Sequence, residues 1–90
     1  MRETRTAHGL TFTLIDTGSG VVYAIRVTDD TFFEVCVGGI FCTCSVWHHD
    51  RWVVKKRSST FRGAVGRALT QMRRLDSDLL KVLAEADPES

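Results

Sequence analysis

The residues of this chain that could carry chemistry fall into three groups: a run of cations, a set of aromatics at strand spacing, and a Cys/His stretch. Eight of the twelve Lys and Arg residues lie between positions 51 and 74, namely Arg51, Lys55, Lys56, Arg57, Arg62, Arg67, Arg73 and Arg74. That window holds no Asp or Glu, while the first fifty residues carry six acids against three bases and the last sixteen carry five acids against Lys81. The formal net charge of +1 therefore conceals a polarised chain. Cations at this density displace the counterions condensed on a polyanion, which is the chemistry of phosphate-backbone binding. The plainer alternative is a solvated basic face offset by Asp76, Asp78 and Glu85 along the same helix.

The second group is Phe41, Trp47 and Trp52, interleaved with Thr43, Ser45, Val54 and Lys56. Strand alternation puts these residues, with Thr11, Thr13, Arg26, Phe32 and Glu34, on the sheet face away from the helix. Bases stack on rings while cations hold phosphates, so such a face suits single-stranded nucleic acid. Trp and Arg also dominate protein interfaces. Trp47 and Trp52 flank a four-residue loop, His48–Arg51, across which they are placed to stack on each other.

The third group, Cys42-Thr-Cys44 followed by His48-His49, offers donors of the type zinc accepts. A structural site needs four of them in tetrahedral geometry. Cys36 falls on the opposite strand face from Cys42 and Cys44, and no Cys or His follows His49. Buried thiols and a polar hairpin tip are expected, with no metal and no cofactor. Nor is a catalytic set expected. Gly18-Ser-Gly20 reads as a turn, and His48, His49 and Asp50 are neighbours in a loop with nothing to orient one against another as a triad requires.

The elements that must position these groups are short. Leu10–Ile15, Val21–Thr28, Phe32–Val37, Ile40–Trp47 and Trp52–Lys56 read as strands divided by turn residues. Their connections are too short for parallel crossovers, so the sheet is antiparallel. A Gly38-Gly39 turn pairs Val37 with Ile40, Val35 with Cys42 and Phe33 with Cys44. Pairing Val27 with Phe33, and Phe12 with Tyr23, extends one apolar face across the sheet. Ser59 or Thr60 caps a helix whose apolar stripe runs Phe61, Val65, Leu69, Met72, Leu79, Leu83, flanked by Ala68 and Leu75. Within it, Gly66 costs ~1 kcal/mol relative to Ala, which calls for a close approach to the backbone, by a phosphate or another protein.

The expected fold class is α+β: an antiparallel β-meander of four to five strands over residues 8–57, followed by one C-terminal helix (59–85) packed on one sheet face. The 90 residues form a single domain, with 1–7 and 86–90 frayed. No apolar stretch approaches the ~20 residues of a membrane helix. Met1–His8 contains no secretory-type apolar run, so a cytoplasmic chain with reduced thiols is expected.

A meander followed by one helix resembles, in layout, the unit of several single-strand DNA binders such as the Whirly type. The resulting expectation is a small non-catalytic protein that binds nucleic acid, single-stranded or by its backbone alone. Its contacts would come from Arg51–Arg74 together with Phe41, Trp47 and Trp52. The alternative is a phage-type inhibitor or adaptor that occupies a surface on a host protein complex. The exposed aromatic side is also a candidate homodimer surface.

Overall fold

The computed structural model of the protein describes residues 3–16 and 20–75. Six strands lie in sequence order in one antiparallel sheet: β1 Thr4–Ala7, β2 Leu10–Asp16, β3 Val21–Thr28, β4 Thr31–Val37, β5 Cys42–His48 and β6 Arg51–Ser58. One helix follows, α1 Phe61–Leu75. The α+β meander stands, with a strand more than the four to five expected. That strand is β1, in a segment expected to fray. His8 and Gly9 take φ of 52° and 80°, a two-residue primed turn that folds Thr4–Ala7 back onto Leu10–Thr13. A short, polar Thr-Arg-Thr-Ala carries no hydrophobic pattern to announce such a strand.

Three registers differ from the sequence reading, each by two residues. Gly38–Phe41 form a four-residue loop, closed by the Gly38 N–H on the Phe41 carbonyl at 2.9 Å, so Val37 pairs with Cys42, Val35 with Cys44 and Phe33 with Val46. Ile25 pairs with Phe33 and Tyr23 with Val35, a bulge at Val27 separating this ladder from the Asp29-Asp30 turn. Leu14 pairs with Tyr23. An even slip leaves each side chain on its own face, and the apolar face is therefore as expected.

β6 breaks this rule. Trp47 pairs with Trp52 but Val46 with Val54, leaving Val53 as a bulge. One extra residue inverts everything beyond it. Val54 and Lys56, expected on the far face, lie on the helix side: Val54 opposite Val46 in the core, and Lys56 opposite Cys44. Lys55 and Arg57, opposite Ser45 and Thr43, occupy the far face instead. The preceding connection is also tighter than the expected four-residue loop. His49 and Asp50, at φ 51° and 66°, make a two-residue turn between His48 and Arg51.

The helix starts where Thr60 Oγ1 accepts the Gly63 N–H at 3.0 Å. It packs across β4, β5 and β6 and reaches β1. Phe61, Ala64, Val65, Ala68 and Met72 meet Phe12, Phe33, Val35, Val46 and Val54 in one buried core. Phe61 lies edge-on to Phe12 and Tyr23, at 5.3 and 5.5 Å, with the Arg5 guanidinium 4.3 Å over its ring. Each fully buried aromatic or branched side chain contributes about 1.5–3 kcal/mol. Leu75 is exposed, and Leu79, Leu83 and the acids from Asp76 onward lie outside the described residues. Among the described residues no helix is long and apolar enough to cross a membrane.

Candidate nucleic-acid interface

The sheet divides nine of the eleven expected site residues between two surfaces. On the helix side, an open depression of about 710 Å³ lies over α1, lined by Lys56, Arg62, Arg67 and Arg74 with His8, Thr70 and Gln71 among its walls. The three arginines share the outward helix face because the opposite stripe is apolar and buried. At 1.5 Å rise per residue, Arg67 stands ~7.5 Å along the axis from Arg62 and ~10.5 Å from Arg74. No acid lines the depression, and none of its four Lys and Arg side chains is ion-paired to an acid among the described residues. The local field is therefore positive and uncompensated by that lining.

The glycine question resolves within the molecule. A Cβ on Gly66 would stand 2.8 Å from His8 Nε2, and that nitrogen donates its proton to the Arg62 carbonyl at 3.1 Å. Gly66 makes room for the β1–β2 turn to dock on the helix, and neither a phosphate nor a partner is needed to explain it. Gly63 likewise accommodates the capping turn, since a Cβ there would collide with Ser58 Oγ and stand 2.8 Å from Thr60 Oγ1. The sequence reading left His8 out of the site. Its signal was a His-Gly dipeptide able to make a primed turn, together with an interior helical glycine that needed a neighbour.

On the far face of the sheet, Phe32 stacks on Trp47 at 6.1 Å, and Trp52 stands edge-on to both at 5.5 and 5.2 Å. The tryptophans meet across the hairpin edge to face instead of stacking, and Trp52 keeps 49% of its surface exposed. Arg26 lies 5.9 Å from the Phe32 ring and donates to the Asp29 carbonyl at 3.2 Å. Further along the same face, Phe41 is 47% exposed with the Arg57 guanidinium 5.2 Å over its ring. Lys55 is exposed between these two aromatic positions.

Arg51 and Arg73 belong to neither lining. Arg51 pairs with His48 beside the β5–β6 turn, and Arg73 is exposed next to Arg74. The expectation of a single surface running from the aromatic face into the basic segment is corrected by the Val53 bulge, which sends Lys56 to one side and Lys55 with Arg57 to the other.

Cys42 and Cys44 are buried, and Cys36 is exposed on the opposite face. Burial pushes the Cys44 thiol up to about 12. Desolvation and then the Glu34 carboxylate raise Cys36. Both shifts disfavour the thiolate that metal binding or nucleophilic attack requires. His48 Nδ1 lies 2.6 Å from the hydroxyl of buried Thr31, and His49 Nδ1 lies 3.8 Å from Asp30. Among the described residues no group of three His, Cys, Asp or Glu side chains is placed to hold a metal ion.

No protein-family model matches the chain, and no curated protein or solved structure is significantly similar to it.

Proposed function

We propose that this chain is a non-catalytic nucleic-acid-binding protein that grips the phosphate backbone with the outer face of α1. The observation that carries this reading is the depression lined by Lys56, Arg62, Arg67 and Arg74, with no acid among its described lining residues. Such cations bind a polyanion by releasing its condensed counterions, a term that does not depend on base sequence. The half-exposed aromatics add little to this contact, because they lie across the sheet from it.

The test is a fluorescence-anisotropy titration of labelled single- and double-stranded DNA and RNA across a salt series. Four phosphate contacts predict a slope of log K on log salt near −3.6 on duplex DNA and near −2.8 on a single strand, at ~0.9 and ~0.7 per contact. Replacing Arg62 and Arg67 by Ala lowers the duplex slope by about two contacts' worth, roughly 1.8. Absence of binding at low salt, or binding indifferent to salt, removes the proposal. An acidic protein surface would engage the same cations. Nuclease-insensitive capture of one stoichiometric protein from the native host is the result that turns the reading toward an inhibitor or adaptor.

A further inference from the structure

Resting on that nucleic-acid reading, we infer that the far face of the sheet is a second, separate site, which takes the unpaired bases of a single strand. Two stacking positions stand on it. One is Trp52, half exposed and held upright by Trp47 and Phe32; the other is Phe41, half exposed beneath Arg57. Trp52 pairs with Trp47 and Arg57 with Thr43, four ladder positions away. At ~3.3 Å per residue that sets Arg57 ~13 Å along the strand from Trp52, and Phe41 precedes Thr43 by two residues more.

Lys55 and Arg57 supply the charge between and beside the rings, and Glu34 is the one acid among the described strand residues of this face. A half-exposed ring accepts any base, since each base presents a π-face, and the flanking cations hold its phosphates. A paired duplex presents no base face to such a ring, so this surface selects unpaired strands. The helix-side depression makes no such distinction. Because the six-stranded sheet lies between them, occupancy of one surface does not require the other.

The chain supplies its own probe. It has two tryptophans, and both lie on this face, away from the helix-side cations. Intrinsic fluorescence is therefore titrated at low salt with a dT decamer, a ten-base-pair duplex and inorganic polyphosphate, with anisotropy of labelled dT decamer in parallel. The expected result is saturable quenching by the dT decamer and little change with duplex or polyphosphate. Quenching persists in R62E/R67E. Affinity for the dT decamer measured through quenching falls roughly 5- to 140-fold in W52A and is restored in W52F; Trp47 reports in both, and circular dichroism checks their fold.

Three outcomes overturn the inference. Labelled dT decamer that binds without quenching places the bases elsewhere. Quenching lost in R62E/R67E makes the two surfaces one site. Equal quenching by polyphosphate shows that charge alone moves the indoles. A complete absence of oligonucleotide binding by anisotropy removes instead the nucleic-acid reading on which the inference stands.

Discussion

Replacing Gly66 by Ala tests how the β1–β2 turn is held against the helix. In an isolated helix interior this change stabilises by about 1 kcal/mol. Here the new Cβ would stand 2.8 Å from His8 Nε2 and 3.3 Å from Cε1, where ordinary contact begins at 3.4 Å. The ring must retreat, and its bond to the Arg62 carbonyl is already 3.1 Å long. Losing that bond costs about 0.5–1.5 kcal/mol. The backbone cannot follow freely, because His8 and Gly9 are both fixed at positive φ by a two-residue turn. The propensity gain is thus offset, and G66A alone is expected to change stability by no more than about 0.5 kcal/mol in either direction.

The H8N background separates the two effects. Asn-Gly is the preferred pair for this turn, and the shorter side chain clears the space over residue 66. There G66A recovers its full ~1 kcal/mol, giving a coupling of about 0.5–1.5 kcal/mol between the two sites. Urea unfolding of the wild type, both single variants and the double variant measures it. If G66A stabilises the wild type by ~1 kcal/mol and adds to H8N without coupling, the docking of His8 on Gly66 is not what the glycine is for.

Three further outcomes follow from the core and the cap. Iodoacetamide should label Cys36 alone in the native protein and all three cysteines after denaturation, read by mass, since Cys42 and Cys44 are buried. Cys44 keeps its proton up to about 12 when folded against an ordinary 9.0, so between these values the unfolded chain holds fewer protons and stability falls as pH rises; C44A flattens that alkaline slope in denaturation measured from pH 8 to 11. Thr60→Ala removes the acceptor of the Gly63 N–H and should cost about 1 kcal/mol by urea unfolding; an unchanged midpoint would mean the cap carries no stability.

The faces of the sheet were more legible than its pairings. Hydrophobic alternation places Phe12, Phe33, Val35 and Cys44 on the core side, and shifts of two residues at three ladders left that assignment untouched. What alternation does not encode is an inserted residue. Val53 and Val54 are chemically alike, so nothing in Trp-Val-Val-Lys-Lys tells which valine fills the core and which bulges. β1 escaped for a different reason: its pairing is set by a turn, and its own residues are polar. The helix cap and the apolar stripe from Phe61 to Met72 were readable because both rest on local spacing. The candidate site was readable in composition but not in partition, since charge density in a sequence does not say on which side of a strand each cation falls.

That partition is the work of one residue. In a regular strand Trp52, Val54 and Lys56 would share a face, while Val53, Lys55 and Arg57 turned to the other. Trp52 would then stand with a single cation, and a valine would occupy the surface between them. The bulge instead lets an edge strand place Trp52, Lys55 and Arg57 together on the open face, send Val54 into the core, and pass Lys56 to the arginines of α1. A β-bulge re-aims side chains at the price of one unpaired residue, and here what it re-aims are the three consecutive cations of the chain. Lysines and arginine on the outermost strand also discourage edge-to-edge pairing with another sheet. The same charges that keep β6 an edge therefore serve both faces, and Val53 decides which face receives two of them.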